Sequence, residues 1–165
     1  MDLETVKRFF DSCHEAKRIT ELMPQLPSGL SARHIHVIDV IQRLSQKNSA
    51  VKVSDVSQEL QVTRPSITRL INDLEQLQVV TKTPDHTDKR IIWLQLTPLG
   101  EQYYDFYIDK YHNWVAVQLA PIAQEQLNMA AQAIHQAYQI LNSSQMDMSE
   151  RPSSLKHNGG TTQNE

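Results

Sequence analysis

Apolar residues follow helical spacing through most of the chain and switch to alternation only between residues 79 and 96. Leu3, Val6, Phe10 and Cys13, widened by Phe9, mark one face of a helix predicted over residues 3–23. Pro24 and Pro27, with Ser28-Gly29, end it. Ser31 is the expected N-cap of a second helix running to about residue 46. Ile35, Val37, Ile38, Ile41 and Leu44 make that helix apolar on more than one side, the mark of a central element. Lys47-Asn48-Ser49 reads as a loop.

A third, short helix is expected after Ser54 as its cap, with Val56 and Leu60 as i, i+4 core contacts. Thr63 is the expected cap of a fourth, with Pro65 in the first turn, where a missing N–H costs nothing. Its stripe of Ile67, Leu70, Ile71 and Leu74 opposes a face of Arg64, Ser66, Thr68, Arg69 and Asn72. Residues 79–83 and 90–96 are the predicted strands of a two-stranded hairpin, with Ile92, Leu94 and Leu96 on one face and residues 84–89 as the turn. Thr97 caps a long helix from Pro98, in which Tyr104, Tyr107, Ile108, Tyr111, Val115 and Leu119 follow 3–4 spacing. Pro121 breaks it, and residues 122–141 form a last helix carrying Leu127, Ile134, Tyr138 and Leu141. Residues 142–165 are polar, with Ser, Asn, Gly and Thr, and are expected to be a disordered tail.

Composition narrows what this architecture does. One domain is expected from 165 residues at 39% hydrophobic and 21% charged. The start, Met1-Asp2-Leu3-Glu4, lacks the order of a signal peptide, and no apolar run spans a bilayer. A single cysteine excludes an intrachain disulfide, which fits a cytoplasmic protein. A glycine-rich phosphate loop is absent, and no nucleophile–base or paired-carboxylate spacing argues for an enzyme. The net charge of -3 speaks against a general coating of nucleic acid. Charge is local instead: residues 63–72 hold Arg64 and Arg69 and no acid. Two short helices, then a hairpin with a charged tip, suit insertion of the second helix into a DNA major groove.

Two segments resemble the MarR family of bacterial transcriptional regulators, and the resemblance covers roughly residues 3–141. Residues 53–75 are similar to the family's helix-turn-helix. Residues 85–100, with Asp88-Lys89-Arg90 followed by Leu94-Gln95-Leu96-Thr97-Pro98-Leu99-Gly100, match its wing signature of Asp-x-Arg and then Leu-x-Leu-Thr-x-x-Gly. The chain departs from the family at Gln61 and Gln78, where the two turns usually carry glycine; glutamine in left-handed backbone costs roughly 1 kcal/mol there.

The resemblance implies an α+β, mostly α, winged helix-turn-helix protein. Its DNA-binding part would lie at about residues 31–97 and its dimerisation helices at about 3–23 and 98–141. It implies a homodimer on a pseudo-palindromic operator, a repressor by family habit, answering to a small-molecule effector, with no cofactor. The expected DNA-binding set is Thr63, Arg64, Pro65, Ser66, Thr68, Arg69, Asn72, Lys89 and Arg90. Arginine forks onto guanine, asparagine pairs with adenine, and Ser and Thr suit phosphates. By resemblance, Arg90 enters the minor groove and Asp88 braces it. An ordinary solvated helix face and a surface ion pair are the bland alternatives.

Other residues carry weaker signals. Cys13 sits on the apolar stripe of the first helix, where a small buried hydrophobe competes with an oxidant-sensing thiol. His36, Asp105, Asp109 and His112 raise metal sensing, against a solvated acidic face; no metal site is assigned. Tyr103, Tyr104, Tyr107, Tyr111, Trp93 and Trp114 are candidates for an aromatic-ligand pocket or for helix packing. The competing function class is a winged-helix protein-interaction module without DNA binding; a metal- or thiol-gated sensor would share the DNA mechanism.

Overall fold

The computed structural model describes residues 1–47 and 50–144. Two compact units divide at Pro121, residues 1–121 and 122–165. The first holds helices α1 (Leu3–Thr20), α2 (Ala32–Lys47), α3 (Val53–Glu59), α4 (Arg64–Gln76), α5 (Pro98–Tyr104) and α6 (Tyr111–Gln118), with strands β1 (Val51–Lys52), β2 (Val80–Pro84) and β3 (Ile92–Leu96). A π-helical segment, Asp105–Lys110, joins α5 to α6. The second unit contains α7 (Gln124–Ser143). Residues 48–49 of the expected loop and 145–165 of the expected tail lie outside the described residues, whereas Asn142 and Ser143 belong to α7.

The core of the first unit is built by the residues the periodicity singled out. Ile35, Val37, Ile38 and Ile41 of α2 are buried together with Val56, Ile67, Ile71, Leu74, Val80 and Leu94. α2 is the central element, burying six residues. The sheet corrects one expectation. It has three strands in the order β1-β3-β2, antiparallel throughout, where a two-stranded hairpin was expected. Two residues carry too little alternation to be read as a strand; Val51 and Lys52 become one only because Leu94 and Trp93 stand opposite them.

Caps also shifted. Ser54 lies inside α3; its cap position is Lys52, whose backbone N–H donates to Asp55 Oδ2 at 3.0 Å. Thr97 does cap α5, accepting from the Gly100 amide at 3.1 Å. Its hydroxyl donates to the Gln78 carbonyl at 2.6 Å, tying the helix start to the turn before the wing. Gly100 stands so close to the Val79 carbonyl that a Cβ there would overlap it. Gly100→Ala should therefore destabilise the domain by about 1–3 kcal/mol in a urea titration, since backbone cannot yield as a side chain can.

Gln61 and Gln78 adopt left-handed backbone, with φ of 52° and 59°. Both end a helix in the same way: Val62 N–H reaches the Ser57 carbonyl at 3.2 Å, and Val79 N–H reaches the Leu74 carbonyl at 2.9 Å. Such turns favour glycine because a Cβ crowds the carbonyl. Gln61→Gly and Gln78→Gly should each raise stability by up to about 1 kcal/mol; a lowered denaturation midpoint in both would contradict the strain.

Candidate nucleic-acid interface

α4 is held from behind by Ile67, Ile71 and Leu74 and from its start by the α3–α4 turn. In that turn the buried Ser57 hydroxyl donates to the Val62 carbonyl at 2.7 Å, a contact the sequence reading did not anticipate. Its only signal is a serine where α3 faces inward. Thr63 occupies the N-cap position of α4, but its hydroxyl bonds Ser66 Oγ at 3.0 Å instead of a backbone amide. A second tie runs from α2: the buried His34 ring places Nε2 3.5 Å from Asp73 Oδ2 on α4. The front of α4 is thus free. Thr63, Arg64, Pro65, Ser66, Thr68 and Arg69 are all exposed.

A shallow surface groove runs along this helix, with Arg64, Thr68, Arg69 and Asn72 on its wall. Thr68 also donates to the Arg64 carbonyl one turn back, at 2.8 Å, which fixes its rotamer. Asn72 differs from its neighbours. It is half-buried, and its Oδ1 accepts from Lys82 Nζ of β2 at 2.8 Å, while the same ammonium pairs with Glu75 at 2.7 Å. Lysine only donates, so the amide oxygen must face β2. That leaves the Nδ2 donors as the outward part of Asn72, in place of the whole fork that adenine pairing uses.

The wing is the loop between β2 and β3. Asp88 grips Arg90: its Oδ1 accepts from Arg90 Nε at 3.0 Å and its Oδ2 from Nη2 at 3.1 Å, a two-point fork. The Arg90 side chain nevertheless remains 91% exposed. Its hydrogen bonds from Arg90 hold the Asp88 carboxyl below the usual carboxylate range. Lys89 beside it is exposed. An exposed row of Arg, Ser and Thr on one helix and an aimed guanidinium on a protruding loop suit two neighbouring grooves of a duplex.

Residues 28–91 match the model of the MarR family. Over this segment the chain is similar to the MarR family. Solved structures share the fold over nearly the whole chain. Streptococcus pneumoniae FabT in complex with DNA is 23% identical, with a TM-score of 0.61, covering 86% of this chain and 98% of that one. Streptomyces coelicolor PcaV with its natural ligand is 17% identical at a TM-score of 0.65, covering 84% and 96%. The S. aureus MepR–DNA complex is 15% identical at 0.60, covering 86% and 99%. No curated protein sequence matches the chain.

The remaining candidates are scattered along the chain. Cys13 is a half-buried free thiol on α1. His36, Asp105, Asp109 and His112 are all exposed, and among the described residues no group of three ligating side chains comes together. The aromatic residues divide three ways. Tyr107 is buried and Tyr103 and Tyr104 pack against the core, while Tyr107 also donates to the Gln25 carbonyl at 3.2 Å. Tyr111 and Trp114 line an apolar cavity of about 340 Å³ with Leu22, Pro24, Phe106 and Lys110. Trp93 lies on β3 and donates into the wing. Among the described residues no helix is long and apolar enough to cross a membrane.

Proposed function

We propose that this protein is a DNA-binding transcriptional regulator that acts as a homodimer on a pseudo-palindromic operator and is released or recruited by a small-molecule effector. One observation carries the reading: among the described residues Arg64 and Arg69 on the outer face of α4 are exposed and in no ion pair, and the Arg90 guanidinium, held only by Asp88 beside it, is exposed as well. The solved DNA complexes of relatives with this fold lend support. The dimer is supported by apolar faces left uncovered in one chain. On α1, Leu3 is 70% and Phe10 48% exposed. On α7, Met129, Ile134, Tyr138 and Ile140 are likewise exposed. A second copy related by a two-fold axis would cover such faces and set the spacing of two α4 helices at about one turn of DNA.

The effector reading is supported by the cavity at Phe106, Tyr111 and Trp114, whose one cation, Lys110, suits a small aromatic anion. Repression is the mode proposed. Nothing in the arrangement calls for catalysis; binding alone accounts for it. The test is a filter-binding titration on random-sequence duplex followed by selection. Affinity should fall steeply with salt, as phosphate contacts release counterions, and the selected pool should contain an inverted repeat. Weak binding with a flat salt dependence and no selected repeat would favour a protein-interaction module.

A further inference from the structure

The wing tip has little to order it. Between Pro84 and Ile92 the backbone bonds of the tip are Asp85 N–H to the Ile91 carbonyl at 2.9 Å and Ile91 N–H to the Asp88 carbonyl at 2.8 Å. Lys89 and Arg90 are exposed, so burial contributes nothing to aiming the guanidinium. A loop of this kind, left to itself, samples many conformations, and each must be given up on binding.

Side chains supply the order instead. Asp85 Oδ1 accepts three hydrogen bonds, from the Thr87 amide at 2.8 Å, the Thr87 hydroxyl at 2.6 Å and the Asp88 amide at 2.9 Å. Its Oδ2 accepts a fourth, from the Trp93 indole Nε1–H at 3.0 Å. Asp88, whose amide Asp85 holds, accepts in turn from the Arg90 amide and from two guanidinium nitrogens. Trp93 sits on the middle strand of the sheet, opposite Thr83 of β2 and Lys52 of β1. Lys52 Nζ lies 5.1 Å from the centre of its ring, at the start of α3. The indole is thus fixed on its face by the helix-turn-helix and donates from its edge into the wing. Tryptophan has one donor and no acceptor, so a carboxylate is its fitting partner, and neither Phe nor Leu could replace it.

We propose that Trp93 and Asp85 are positioning residues for Arg90: the indole anchors Asp85 to the sheet, Asp85 shapes the turn that presents Asp88, and Asp88 aims the guanidinium. The DNA consequence rests on the regulator reading above. The positioning itself does not. Both carboxylates accept throughout the neutral and mildly acid range. The Thr87 hydroxyl, the Asp88 amide and the indole hold Asp85 far below the usual carboxylate range, so its contribution is complete above the unfolded value and is lost only well below it.

Trp93→Phe keeps a ring for Lys52 and removes the N–H; Asp85→Asn keeps the shape and removes the charge. In the free full-length protein the Arg90 Nε–H resonance should be distinct and ordered in the wild type. It should move to the position of a free arginine in both variants, while the amide spectrum of α2 and α4 stays in place. On duplexes selected by the wild type from a random library, each variant should bind roughly threefold to tenfold more weakly. In an Arg90→Ala background, Trp93→Phe should cost nothing further, because its effect passes through Arg90. An Arg90 resonance unchanged in both variants overturns the proposal, as does a loss that simply adds to that of Arg90→Ala. If Trp93→Phe fails to fold, Asp85→Asn, in the wing loop, carries the same comparison. If the wild type selects no duplex, the regulator reading fails, and the Arg90 resonance alone still decides whether Trp93 positions it.

Discussion

Arg90→Ala should weaken operator binding roughly tenfold to a hundredfold while leaving the thermal transition in place. The two halves of this expectation have separate grounds. The side chain is almost wholly exposed, and its bonds reach only Asp88 two residues away, so the fold loses nothing it depends on. Its value lies outside the chain: a guanidinium held by a two-point fork reaches a narrow, negative minor groove with little freedom left to lose. Asp88→Ala should act in the same direction by freeing the arginine, though less, since the cation survives. A gel-shift titration in which Arg90→Ala binds like the wild type would remove the wing from the interface and leave α4 to account for recognition.

A second large effect is expected at the dimer. Leu3→Asp combined with Phe10→Asp should shift the protein to monomer at micromolar concentration and lower operator affinity by about a hundredfold or more, because paired half-sites multiply affinity only while they are joined. Both side chains are exposed in the single chain, so the substitutions leave its core intact, and a normal circular dichroism spectrum should accompany the loss. Sedimentation is the direct measurement. A wild-type monomer that still protects both halves of an inverted repeat would overturn the arrangement. Part of the stripe expected to serve the interface is not available to it: Tyr107 and Ile108 are buried in the first unit, where they meet the core around α2.

What the sequence by itself determined was whatever depends on neighbours a few positions apart. Three- and four-residue spacing marked α2 and α4 and the sides they bury. The outward face of α4 followed, since a helix that commits Ile67, Ile71 and Leu74 inward must turn Arg64, Thr68 and Arg69 outward. The cap at Thr97 is local in the same sense, whereas the left-handed turns at Gln61 and Gln78 and the Asp88–Arg90 pair, though local contacts, were legible only through the family resemblance. Only the tertiary structure decided the rest. β1 exists because β3 lies beside it, and two residues carry no periodicity of their own. Asn72 is turned toward Lys82, ten positions on, and Trp93, which reads as an aromatic for packing, proves to donate to Asp85 across the hairpin. Each of these rests on a polar group finding its partner across the fold, and hydrogen bonds, unlike burial, leave no repeat in the chain that forms them.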